Sequence, residues 1–318
     1  MSGVDWAMDG VLACVLPFLS WRALVTEDPP KSVVLFLAFG LLSAVAWARL
    51  GAPDVALVEA AVGTGFTGAL LMSALGWIGP AKQAPPPPSR FRRALLSLTL
   101  AGLALLLGAV VFSLPDPSRG LSDEVLSHLT PAGVSYPVTA VLLNFRGYDT
   151  LLEIAVLLLA ALGVQAQLRP AVALDDAATA GPLLPALVRQ LIPAMILVAG
   201  YLLWRGSRAP GGAFQAGSIL GGGAILLLLA GTVPPPSLSS FVVRAALLVG
   251  PACFLAVAVA PLFADRHVLE YPPAWAGALI LCVESALTIS IAMVLALFFP
   301  STRHVDRAGE QVHQEDRT

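Results

Sequence analysis

The chain has 318 residues, 57% of them hydrophobic and only 12% charged, with a mean hydropathy of +0.83. This balance places it among the all-α integral membrane proteins, because apolar runs of membrane-crossing length recur along it. The net charge of −2 leaves no electrostatic footprint for nucleic acid.

The first apolar run extends from about Trp6 to Val25. Asp5 and Asp9 stand where a secretory leader would carry lysine or arginine, so the run is read as a retained membrane helix. A polar break from Thr26 to Lys31 separates it from a second run, Ser32 to Leu50. Gly51-Ala52-Pro53-Asp54 then interrupts the path, and Asp54 is placed to cap a third run that continues to about Ile78. Glu59 lies inside that run. A carboxylate is costly to keep there, so it is either an ion-handling group or a hydrogen-bonded packing residue. Ala60, Ala61, Gly63, Gly65, Gly68 and Ala69 allow close helix packing inside a bundle.

Lys82 to Arg93 combines Pro85 to Pro88 with Arg90, Arg92 and Arg93. It reads as a semi-rigid spacer on the cytoplasmic side. A fourth run, Ala94 to Leu114, is followed by a wet loop to about Tyr136 and then by the stretch Leu142 to Ile154. On a helix, Asp149 and Glu153 share a face as i and i+4, with Arg146 three residues before Asp149. Each such charge costs about 2.5–3.5 kcal/mol in a membrane helix on insertion scales, so it must be paired or hydrated. Two readings stand. The cluster handles ions, or it is an interfacial cap in which Asp149 and Thr150 start the helix and Arg146 neutralises the aspartate. The fifth run ends near Leu168, before a linker from Arg169 to Pro182.

A sixth run, Leu183 to Trp204, leads into the segment Ala209 to Gly217. There Pro210, Gly211, Gly212 and Gly217 read as a tight structural turn, whose amides could also form a nest for an anion. The seventh run ends near Leu229, the eighth covers Leu238 to Phe263 and the ninth Ala274 to Phe299. Glu284 lies well inside the ninth and needs a partner in this chain or a neighbouring one. Residues 301–318 form a polar tail, expected to be disordered. About nine membrane helices follow, and the lysine and arginine bias places the N-terminus outside and the C-terminus in the cytoplasm. Cys14, Cys253 and Cys282 lie in separate apolar runs and read as small buried residues, neither a disulfide framework nor a metal site. No cofactor motif is present in the sequence.

The order of three motifs carries a resemblance. Gly51-Ala52-Pro53-Asp54-Val55-Ala56-Leu57-Val58-Glu59-Ala60-Ala61-Val62-Gly63 resembles the MbhD component of Mbh-type membrane-bound hydrogenases, equivalent to part of the C-terminal region of the MrpA component of Mrp antiporters. Phe145-Arg146-Gly147-Tyr148-Asp149-Thr150-Leu151-Leu152-Glu153 resembles the E module that follows it. Ala209 to Gly217 resembles the signature of the MrpB/MnhB antiporter component, with Glu284 at a glutamate position of its last helix. Asn144, Ser207 and Ala213 depart from the residues usual in these motifs.

The resemblance implies a fusion of a D-like module at 1–80, a linker at 81–93, an E-like module at 94–169, a second linker at 170–182 and a B-like module at 183–300. It implies a membrane subunit of a multisubunit Na+/H+ antiporter in a bacterial or archaeal cytoplasmic membrane. Its partners would be large antiporter-like subunits and small ones, with Na+ and H+ as the transported ions. Glu59, Asp149, Glu153 and Glu284 are the ion-path candidates, supported by Asp54 and Arg146. The alternative is a non-translocating structural subunit of an Mbh-like hydrogenase or respiratory ion pump. No enzymatic activity and no cofactor are expected of the chain itself.

Overall fold

The computed structural model describes residues 3–75, 89–114, 120–167 and 183–315. The linker expected at 170–182 lies outside the described residues, as does most of the one at 81–93. The elements in order are α1 (Gly3–Val25), α2 (Pro29–Arg49), α3 (Pro53–Val58), a π-helical segment (Glu59–Phe66), α4 (Thr67–Leu75) and α5 (Arg90–Ser113). The short helices α6 (Ser122–Ser127), α7 (Leu129–Ala132) and α8 (Pro137–Ala140) lead to a second π segment (Val141–Phe145) and α9 (Gly147–Gln167). Then come α10 (Leu183–Arg205), α11 (Ala213–Leu229), α12 (Phe241–Val259), a 3₁₀ turn (Ala260–Ala264) and α13 (Ala276–Glu315).

Among the described residues, eight helices are long and apolar enough to cross a membrane, with α3, the first π segment and α4 forming one continuous span, Pro53–Leu75. The seventh expected run folds as the shorter α11, of 17 residues. At 1.5 Å per residue that is about 25 Å, a little under the hydrocarbon thickness. The residues form two compact units, one of 1–77 with 128–318 and one of 78–127. The middle module expected at 94–169 therefore contributes to both.

Local chemistry explains several boundaries. Asp28 accepts from the Lys31 amide at 3.5 Å, and prolines fill the first turn of α2. At its other end, Arg49 forms an ion pair with Asp9, and its Nη2 lies 3.6 Å from an Asp5 carboxylate oxygen. The acidic residues at the head of the first run thus close an α1–α2 hairpin. In the smaller unit, Ser89 accepts from the Arg92 amide at 3.3 Å and starts α5 earlier than the apolar pattern alone indicated. No residue of α5 is buried. α13 is helical from Ala276 to Glu315, so it runs on into the polar tail.

In the larger unit α13 is the central helix. It packs against α9, α11 and α12, and 56% of its membrane-length window is buried. Ile280, Val283, Leu287, Ile291 and Leu295 supply its core face, joined by Phe254, Leu143 and Ile154. Small residues set the spacing. A Cβ built on Gly217 of α11 would lie 2.8 Å from Ile291 Cβ, and one on Gly250 of α12 would lie 2.7 Å from Ser290 Oγ.

The cysteines depart from their sequence reading. Cys14 and Cys282 are exposed, and Cys253 on α12 places its sulfur 3.8 Å from that of Cys282 on α13. Residues 29 positions apart meet because the two helices form an antiparallel pair, a relation that linear spacing does not encode.

Candidate functional site

The turn between α10 and α11 is the centre of the site. Gly211 has φ +154° and Gly212 φ +113°, backbone conformations that an L side chain rarely adopts. A Cβ on Gly211 would collide with the Leu202 carbonyl oxygen, and one on Gly212 would stand 2.7 Å from Glu284 Oε1. The Gly212 amide donates to the Leu202 carbonyl at 2.9 Å and locks the turn onto the end of α10. The amides on either side are left to find other acceptors. Gly211 donates to Asp54 Oδ1 at 3.0 Å, and the Glu284 carboxyl lies against the other side of the turn, beside Gly212 and Ala213. The anion nest is thus filled by two of the chain's own carboxyl groups. Gly217 lies outside the turn, in α11, where it admits Ile291.

Asp54 does not cap its own helix. Ala52 holds the N-cap position with no side-chain hydrogen bond and Pro53 occupies the first turn, leaving the Asp54 carboxylate free to reach across. Besides the Gly211 amide, it accepts a short hydrogen bond from the Tyr136 hydroxyl. The Asp54 carbonyl receives Gln215 Nε2 at 3.5 Å. The Tyr136 segment is itself tied to the turn. The amides of Ser135 and Tyr136 both donate to the Ser207 carbonyl, at 3.0 and 3.1 Å, and Thr139 Oγ1 donates to the Gly206 carbonyl at 2.6 Å. Burial, reinforced by the hydrogen bond to Asp54 and by its charge, pushes the Tyr136 phenol well above its ordinary value. Sequence reading missed Tyr136; its one signal was an aromatic with a polar tip at the wet end of an apolar segment.

Glu284 approaches the same turn from α13. Its residue is 3% exposed, and its Oε2 is buried with no hydrogen-bond partner. A buried carboxyl at the N-terminus of α11 gains from the helix dipole, yet its Oε2 makes no hydrogen bond.

Glu59 opens the first π segment, five residues from Asp54. Its carboxylate folds back over Gly63, where a Cβ would lie 2.8 Å from Oε1, and it also faces Gly40 of α2. The neighbouring Thr64 hydroxyl is buried without a partner. π segments widen a helix locally and recur at functional sites. The second one ends directly before Arg146. From there Arg146 pairs with Asp149 at 2.5 Å, both side chains mainly exposed at 71% and 53%. Thr150 turns inward to the Leu142 carbonyl at 2.6 Å, and Glu153 lies exposed one turn beyond Asp149. The structure therefore gathers Asp54 and Glu284 at one turn and leaves Arg146, Asp149 and Glu153 on an open face of the isolated chain. Among the described residues no cluster of His, Cys, Asp and Glu is placed to hold a metal ion.

Comparison with known proteins adds two matched segments. Residues 14–80 match the MbhD family, the D component of MBH. Residues 183–300 match the domain related to the MnhB subunit of Na+/H+ antiporter. A probable K(+)/H(+) antiporter protein of Rhizobium meliloti (strain 1021), a combined A/B component, is 28% identical over 221 residues, 58% of this chain and 22% of that protein. The chain thus corresponds to about a fifth of that relative. Two solved structures share the fold. A chain of the Mrp complex from Dietzia sp. DQ12-45-1b superposes with TM-score 0.70 and 24% identity, covering 95% of this chain and 35% of the other. One from the membrane-bound sulfane sulfur reductase, an archaeal respiratory membrane complex, gives TM-score 0.57 and 22% identity, covering 67% and 98%.

Proposed function

We propose that this chain, an Mrp-type fusion of an MbhD-like and an MnhB-like segment, is a membrane subunit of a multisubunit monovalent cation/proton antiporter. It contributes both to the ion path and to the joining of subunits, and it has no enzymatic activity of its own. The observation that carries this reading is Glu284, a buried carboxyl in a membrane helix with one oxygen unpartnered. Such groups are rare in membrane spans, and they mark ion pathways and proton relays. Glu59, with the unpartnered Thr64 hydroxyl beside it, is a second station, and Asp149 with Glu153 a third on the exposed face. Arg146 keeps Asp149 paired. The match to the MnhB-related domain of Na+/H+ antiporter and the likeness to a probable K(+)/H(+) antiporter protein support exchange of Na+ or a related ion for H+. D-, E- and B-like modules at 1–80, 94–169 and 183–300, with the N-terminus outside, remain the preferred organisation.

The second reading, a non-translocating subunit of a redox-driven complex, is favoured by Asp54. Its carboxylate is spent on Tyr136 and Gly211, as an inter-helix staple would be. The two readings separate on Glu284→Gln, introduced into the complete complex in membrane vesicles. Cation-dependent collapse of a pH gradient, driven by Na+ and separately by K+, is measured beside subunit recovery. Exchange is expected to fall about tenfold or more, about 1.4 kcal/mol in barrier terms, with assembly intact. Full exchange in the variant would overturn the ion-path role.

A further inference from the structure

We propose that Cys253 and Cys282 form a covalent modification site, a thiol pair that small-molecule disulfides oxidise to an intrachain disulfide between α12 and α13. The two sulfurs are in van der Waals contact at 3.8 Å. A disulfide needs about 2.05 Å, so the gap closes by about 1.8 Å. The backbones are already held together beside the pair. The Gly250 amide donates to Ser290 Oγ at 2.9 Å, and that hydroxyl in turn donates to the Ala246 carbonyl at 2.8 Å, with the Leu247 carbonyl at 3.0 Å beside it. Cys253 lies one turn beyond Gly250 on α12, and Cys282 two turns before Ser290 on the antiparallel α13. The clasp holds the two helices together within two turns of the thiols, whose sulfurs face each other.

Access also fits. Cys282 is exposed on the isolated chain and Cys253 half-buried, and both lie in membrane-length helices, so a lipid-soluble reagent meets Cys282 first. The Cys282 thiolate attacks the reagent's S–S bond and forms a mixed disulfide, and the first leaving thiolate takes up the proton that Cys282 gave. The Cys253 sulfur then attacks the Cys282 sulfur, breaking the mixed disulfide and forming the protein S–S bond. The second leaving group carries away the Cys253 proton. Two S–H bonds and one reagent S–S bond are broken, one protein S–S bond is made, and the reagent is reduced to two thiols. The product ties α12 to the helix that carries Glu284, two residues beyond Cys282. Nothing in this proposal depends on ion exchange, so it stands or falls separately from the antiporter reading.

Dipyridyl disulfide reports the chemistry directly, because each displacement releases one coloured thiopyridone. The full chain carrying Cys14→Ser is treated in its native membrane complex and then purified. The expected result is release of two equivalents with no pyridyl group retained, and both cysteines resistant to maleimide under denaturing conditions until a reductant is added. Adding Cys253→Ser or Cys282→Ser should leave a single cysteine that releases one equivalent and keeps the pyridyl group. A Cys14→Ser chain that retains an adduct on each cysteine, leaves either cysteine unreacted or cross-links between two chains would overturn the proposal. Thermal unfolding of each serine variant beside the parent shows that folded protein is being compared.

Discussion

Gly212 meets two constraints at once. Its φ of +113° disfavours any L side chain, and the space a Cβ would fill lies 2.7 Å from the Glu284 carboxyl. Gly212→Ala should therefore cost about 2–4 kcal/mol, the sum of backbone strain and forced displacement, seen as a lower unfolding midpoint of the solubilised chain. Tyr136 makes a different residue-scale prediction. Tyr136→Phe keeps the ring but removes a donor from Asp54, and should cost about 1–3 kcal/mol. The phenol's folded value is raised, so its contribution is fully present below the unfolded value and is lost only as pH climbs through the higher folded one. Between about pH 6 and pH 10 the stability gap between the parent chain and Tyr136→Phe should stay constant. A gap that closes well below about pH 10 would show that the Tyr136–Asp54 bond is not the source.

Among elements, α11 and α13 illustrate how position along a helix decides what glycine does. Gly217 faces Ile291, whose Cβ and Cγ2 both lie 2.8 Å from the point where a new Cβ would sit, with the Thr288 carbonyl oxygen at 3.1 Å. Gly222 meets only Met195 Cε, at 3.7 Å. Gly217→Ala should destabilise by about 1–3 kcal/mol, since a β-branched side chain and backbone cannot give way. Gly222→Ala should be neutral or gain about 0.5–1 kcal/mol from helix propensity. Parallel unfolding curves of the two variants check this, and equal effects would mean that the helices do not approach as closely as described. The π segments belong to this scale as well. The first begins at Glu59 and the second ends directly before Arg146, two residues that the sequence had singled out, yet neither segment was legible beforehand. The reason is that one extra residue in a turn leaves the apolar composition of a span unchanged.

For the whole molecule, the informative surface is the one left open. The Arg146–Asp149 pair and Glu153 lie exposed at or within a helix of membrane-crossing length, and in hydrocarbon such groups need water, lipid headgroups or another subunit. In the assembled complex, Glu153→Gln should lower cation/proton exchange while subunit recovery is unchanged. Loss of the complex would instead make Glu153 a staple to a neighbour, and normal exchange with normal assembly would remove it from the ion path. Mass spectrometry of subunits recovered with the tagged chain reads the assembly side of the same experiment. The motifs at Gly51 to Gly63 and Ala209 to Gly217 were legible because their breaks, small residues and carboxylates are local in the chain. Tyr136 was not, because its significance lies in Asp54, 82 residues away.

The sequence by itself determined that the chain crosses a membrane many times, where most of its spans run and which carboxyl groups stand inside them. Hydrophobic run length and the cost of charge in lipid are properties of local composition. Only the tertiary structure decided that Asp54 and Glu284 meet at one glycine turn. It alone showed that Glu59 sits in a π segment and that Cys253 meets Cys282. Each of these depends on which helices are neighbours and in what register, which is fixed by the fit of small residues between helices rather than by the pattern along any one of them.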